Sequence, residues 1–186
     1  MRIVVFYILV MLACAVQAQV KMIDVFKSMP DSLVPYLTAN NRLDCLDFKE
    51  AKMKAEVQNA LGGKSELVTL NGQYADLQLN DAHRMEMRLL DTTEPVDSCL
   101  QLIGIIHTYG TDVQESKVQF YSLRWHELPV ANYITLPQEM FTATFDETQS
   151  ELTIISSNYF DQPASEDQKP EEKSSINLKW LNNSFK

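Results

Sequence analysis

The chain has 186 residues, with 25 acidic against 16 basic side chains and a formal net charge of −9 at pH 7. An acidic surface without a basic cluster repels phosphate backbones and anionic headgroups, which sets nucleic-acid binding aside. Three cysteines are too few for a disulfide framework, and a chain of this length buries enough surface to need none.

Residues 1–18, MRIVVFYILVMLACAVQA, have the layout of a secretory signal peptide. Arg2 is the positive n-region, Ile3 to Ala15 is unbroken apolar sequence, and Val16 and Ala18 are the small residues before a cleavage site. That run falls short of the ~20 residues needed to cross a bilayer, so no transmembrane span is expected in the mature chain. Met11-Leu12-Ala13-Cys14 offers a second route, a lipoprotein anchored through Cys14, although Met11 and Leu12 depart from the usual lipobox. Cleavage after Ala18 leaves 19–186 as a single α+β domain. Its Cys45 and Cys99 either pair, which needs Cα atoms within ~7 Å, or remain as buried free thiols.

Residues 20–46 predict short helices interrupted by Pro30 and Pro35, with Ile23, Phe26, Met29 and Leu33 as an apolar stripe. Asp47 followed by Glu50 has the form of a capping box, and Met53, Val57, Ala60 and Leu61 repeat at helical spacing up to Gly62-Gly63. This predicts a helix over 48–61. Beyond Gly63 the period becomes two. Ala75, Leu77 and Leu79 alternate with polar residues, and Met85, Met87 and Leu89 alternate with Arg84, Glu86 and Arg88 as a half-buried strand. Phe141 to Phe145 and Leu152 to Ser156 form a hairpin, and Ile176, Leu178 and Trp180 a last strand. Residues 161–175, rich in Pro, Glu, Ser and Lys, are expected to be a mobile acidic loop.

Strands that follow one another without helices between them pair antiparallel. The expected fold is therefore α+β, with N-terminal helices packed on an antiparallel meander of about six or seven strands. The alternative is a β-sandwich or barrel carrying the same helices.

Residues 100–109 and 116–126 are expected to pair, with Gly110 opposite Ser116 and His107 opposite Gln119. One face then carries Ile103, Ile105, His107, Tyr121, Leu123 and Trp125, and the other Leu102, Ile106, Val118, Phe120, Arg124 and His126. Both faces are apolar at their centre. Either both are covered, the second by a subunit, a loop layer or a ligand, or a β-bulge between Phe120 and Tyr121 moves the two sets to one side. The first set is the candidate partner or ligand face. Strand rise separates His107 from His126 by about 23 Å, too far to share a zinc ion.

The runs MPDSLVPYLTANNRLDCLDF, GGKSELVTL, YADLQL, MEMRLL and VQFYSLRWHELP resemble a family of small exported proteins of unknown function from Bacteroidales. The resemblance spans nearly the whole chain after the leader. It implies a bacterial export route to the periplasm or cell surface, and it brings no catalytic residue with it.

No G-x-G-x-x-G, phosphate-binding loop or G-x-S-x-G elbow occurs. His126-Glu127 starts like a zinc-protease motif, but Val130 stands where the second histidine must be and Pro129 opposes a helix. No catalytic residue, metal ligand or cofactor is assigned. The expected function is a non-enzymatic binding or envelope-associated module whose partner is a protein or a small ligand. Two alternatives stand beside it, a hydrolase whose site assembles only in the fold and a self-associating structural protein that forms a homodimer.

Overall fold

A computed structural model describes residues 19–156 and 174–186. The leader expected at 1–18 and most of the acidic loop expected at 161–175 lie outside the described residues; Ser174 and Ser175 open a strand.

Helix α1, Met22–Ser28, buries Met22, Val25 and Phe26. Helix α2, Ala39–Glu50, starts well before the capping-box pattern at Asp47 suggests, because Thr38 caps it first. Asn41 N–H donates to Thr38 Oγ1 at 3.2 Å, and Thr38 N–H donates to Asn41 Oδ1 at 3.2 Å. Asn serves here in the N3 place that Glu or Gln usually fills. The expected helix over 48–61 is therefore wrong. The chain leaves the helix after Glu50, passes Lys52 at φ +57, and places Val57 in a strand, while Met53 and Leu61 face solvent.

Seven strands follow in strict chain order within one antiparallel sheet. They are β1 (Glu56–Gln58), β2 (Lys64–Leu70), β3 (Tyr74–Asn80), β4 (His83–Val96), β5 (Cys99–Tyr109), β6 (Glu115–Ser122) and β7 (Glu127–Leu128). The chain then runs through a short 3₁₀ turn, Val130–Asn132, into a second antiparallel sheet. This sheet contains β8 (Phe141–Phe145), β9 (Glu151–Ser156), β10 (Ser174–Leu181) and β11 (Ser184–Phe185), in the order β11-β10-β9-β8. The expected helices and seven-stranded meander are present. The hairpin at 141–156 and the last strand, expected within that meander, instead build the second sheet.

The double apolar character of β5 and β6 now has its reason. On one face Ile103, Ile105 and Tyr121 join Met22, Phe26, Leu37, Leu77, Met85 and Met87 in a core roofed by the helices. On the other, Leu102, Ile106, Val118 and Phe120 join Phe145, Leu152, Ile154 and Phe185 in a core roofed by the second sheet. Pairing is unbroken through Gly104↔Phe120 and Ile103↔Tyr121, so no bulge is involved, and the second cover comes from this chain itself. Gly104 permits the approach: a Cβ there would lie 2.9 Å from Phe145 Cζ and 3.3 Å from Leu90 Cδ1.

The β5–β6 register differs by two residues from the expected one, with His107 opposite Lys117 and Thr108 opposite Ser116. A shift of two keeps every side chain on its face, so the face assignment survives as far as Ser122. Strand β6 ends at Ser122, which puts Leu123, Arg124, Trp125 and His126 in a turn rather than on the expected strand faces. β4 also differs from expectation, because its polar face of Arg84, Glu86 and Arg88 is solvated only at Arg84. Glu86 and Arg88 are each 1% exposed, under the second sheet. No helix among the described residues is long and apolar enough to cross a membrane.

Candidate functional site: a groove at the β4–β5 end

The Val96–Cys99 end of the β4–β5 hairpin extends past the body of the sheet, and a groove of about 640 Å³ opens along it. A volume of this size suits a small ligand. Its walls come from Gln19 and Val20 ahead of α1, from Asp91 and Thr92 late in β4, from Ser98 to Gln101, and from Leu123. Asp91 and Gln101 are cross-strand partners on the helix side of the sheet. Gln101 donates from Nε2 to Asp91 Oδ1 at 2.9 Å and accepts the Val20 N–H at Oε1 at 3.1 Å. Gln19 donates from Nε2 to the same Asp91 oxygen at 3.2 Å. The Asp91 carbonyl accepts the Trp180 indole N–H at 2.6 Å, which fixes this residue against the second sheet.

The lining therefore converges a carboxylate and two carboxamides beside the apolar Val20, Leu100 and Leu123 and the Cys99 thiol. Cys99 and Cys45 are both free. Cys45 lies buried in α2, its thiol pushed up to about 11 by burial. Nothing in the lining offers a phosphate cradle, and no cluster of three or more His, Cys, Asp or Glu suited to a metal occurs among the described residues.

Two strained turns sit at the same end. Asp97 and Ser98 both have left-handed backbones, φ 48 and φ 70, in the two-residue β4–β5 loop, and Trp125 has φ 66 in the turn after β6. A bulky residue in that region costs about 1–3 kcal/mol and must be held there. The Ser122 hydroxyl accepts the Arg124 and His126 N–H groups, both at 3.3 Å. His126 Nδ1 lies 2.7 Å from Asp97 Oδ2 and joins the two turns. Hydrogen bonds from Ser122 and His126 hold the Asp97 carboxyl below its ordinary range. This is an oriented imidazole–carboxylate pair, but Ser122 is fully buried and occupied with the turn, so it makes a bracket rather than a nucleophile.

The residues of the expected partner face separate into three groups. Ile103, Ile105 and Tyr121 are closed in under the helices. Leu123 reaches the groove wall, while Trp125 packs on Tyr121 and donates from Nε1 to Ser28 Oγ at 3.4 Å. His107 is buried against the third histidine, His83, with Nδ1 2.9 Å from His83 Nε2. Tyr109 stacks on His83 at 4.4 Å, and Tyr36 meets it edge-on at 5.5 Å. Burial, helped by neighbouring His83 and Lys117, pushes His107 down to about 4, and burial also lowers His83.

Asp91 and Gln101 are not among the expected site residues, yet their signal is present in the sequence. They continue the parity of Leu89 and Ile103, so the core face turns polar where the strands outrun the helices. His83 likewise shares the parity of Met85, Met87 and Leu89.

A comparison with curated proteins returns no match. Among solved structures the chain resembles a domain of an uncharacterized protein from Porphyromonas gingivalis W83, with TM-score 0.72 and 17% identity, covering 91% of this chain and 98% of that one. At that identity the likeness is one of fold. The family model described as a protein of unknown function, DUF3256, matches residues 13–182, and the chain belongs to that family.

Proposed function

We propose that the protein is an exported, non-enzymatic binding module of the periplasm or cell surface that takes a small, partly apolar ligand in the β4–β5 groove. The observation that carries this reading is the convergence of Asp91, Gln101 and Gln19 on one wall, beside Val20, Leu100 and Leu123. A buried, hydrogen-bonded Gln101 keeps the polar groups in place before any ligand arrives, and the apolar residues supply area to bury. The leader at 1–18 supports export. Lipidation at Cys14 would tether the same groove to a membrane, five residues from its wall at Gln19. The homodimer alternative draws on the apolar faces of β5 and β6, and both are occupied within this chain.

Amide NMR of the exported protein against a panel of small amphipathic molecules tests the reading. Binders are expected to shift Val20, Asp91, Gln101 and Leu123 together, and Leu123→Arg to abolish those shifts. Binders that shift only other regions, or that ignore Leu123→Arg, would refute it.

A further inference from the structure

We infer that export maturation completes this groove: the α-ammonium created at Gln19 by cleavage after Ala18 becomes the partner cation of Asp91. The inference rests on the export reading above and specifies the groove's chemistry. Two observations lead to it. First, the segment ahead of α1 is already seated. Val20 N–H is held by Gln101, Met22 N–H donates to the Gly72 carbonyl at 2.9 Å, and Met22 is fully buried at the head of α1. Gln19 is thereby held at the wall, and its side chain touches Asp91 Oδ1 at 3.2 Å, so the residue that carries the new terminus is already in contact with the carboxylate.

Second, the wall is electrically incomplete. Among the described residues Asp91 is the one carboxylate in the lining, and no lysine, arginine or histidine accompanies it there. The hydrogen bonds that Gln19 and Gln101 donate to its side chain both arrive at Oδ1 from neutral carboxamides. In the precursor Gln19 contributes a peptide nitrogen at this point. After cleavage the same nitrogen carries a positive charge and three donors. The groove then changes from anionic to neutral overall, which favours an uncharged ligand over a cationic one.

The test uses protein recovered after export from cells expressing the full chain, in a Cys99→Ser background that removes the free thiol at the groove. Intact mass identifies the N-terminus. The titration of the α-amine, followed at the Val20 amide, is then compared with Asp91→Asn and with a Gly-Ser insertion after Ala18, which keeps the cleavage sequence and displaces the amine. The expected result is an α-amine titrating a few tenths of a pH unit above its ordinary range of about 7.7–8.0, the scale of an exposed ion pair, with both variants returning to that range. A correctly cleaved protein whose α-amine titrates at the same pH with and without the Asp91→Asn substitution overturns the pairing. A mass showing another N-terminus, or loss of ammonia by cyclisation of Gln19, overturns it through the maturation step instead, and leaves the ligand-mapping result to stand separately.

Discussion

Between His83 and His107 there is room for one N–H···N bond, which requires both rings to be neutral or one to carry the extra proton in a buried site. Burial opposes that proton, so the folded state holds His107 near 4, whereas an unfolded imidazole titrates at about 6.5. Between these values the unfolded chain binds more protons, so stability rises with pH. The contribution is fully present above about pH 6.5 and is lost as pH falls toward about 4, by up to roughly 3 kcal/mol for His107. Urea midpoints across this range should fall more steeply in the wild type than in His107→Gln; parallel curves would show that the pair does not titrate in this way. Arg42 poses a second residue-scale question. Its guanidinium is buried in α2 and donates to the Met29 carbonyl at 2.7 Å, the Leu37 carbonyl at 2.8 Å and Asp31 at 2.8 Å, which fixes the proline-containing connection between the helices. Arg42→Met keeps apolar bulk but strands two carbonyls, and should cost about 2–4 kcal/mol by denaturant unfolding. A cost below about 1 kcal/mol would mean that water takes over those carbonyls.

At the scale of the element, β4 is both the clearest strand in the sequence and the one whose environment is least legible there. The alternation of Met85, Met87 and Leu89 with Arg84, Glu86 and Arg88 correctly indicates strand type and core face. It suggests solvent on the other side because charged residues are rarely buried. Their burial depends on groups 58 residues ahead: Thr144 donates to Glu86 at 3.0 Å, and Arg88 donates to the Asp146 carbonyl at 2.7 Å. Tyr74 donates its hydroxyl to Glu86 at 2.6 Å, and Arg84 Nη2 lies 3.3 Å from the same carboxylate oxygen. No local pattern encodes the partners at 144 and 146. Desolvation raises the Glu86 carboxyl and one of its oxygens has no partner among the described residues, so this seam between the sheets is sensitive to change. Glu86→Ala leaves the Tyr74 and Thr144 hydroxyls without their acceptor and should cost about 2–4 kcal/mol. Glu86→Gln keeps a carbonyl oxygen and should cost less, a ranking that thermal unfolding can check. Gly104→Ala tests the same seam sterically. With Phe145 Cζ at 2.9 Å from the new methyl group, the Phe145 ring or the sheet that carries it must shift, at about 1–3 kcal/mol. The expected helix at 48–61 fails for a simpler reason: two capping patterns lie within ten residues, at Thr38 and Asp47, and periodicity cannot say which one the chain will use.

For the whole molecule, the fold class is legible because a meander is written locally: each strand's period and each turn's residues are contiguous. The second sheet is not, since pattern alone cannot tell a strand that extends a sheet from one that folds over it. The apolar centre of both faces of β5 and β6 is the trace that layer leaves in the sequence. The result is one seven-stranded sheet serving two cores, with Leu89 and Leu90 as neighbours in sequence facing opposite ones. The two cores are accordingly expected to unfold in one transition. The strict succession of β1 to β7 has a further consequence, in time. Every pairing in that sheet joins strands adjacent in sequence, so its loops close early, whereas β8 must find β4, β5 and β6 after they exist. Truncating Ile105, on β5, should mainly slow refolding, while truncating Leu152, on β9, should mainly speed unfolding; stopped-flow measurements would separate the two. The helix-side core is thus expected to act as the nucleus, and the second sheet as a late clasp whose departure starts the route to the unfolded chain.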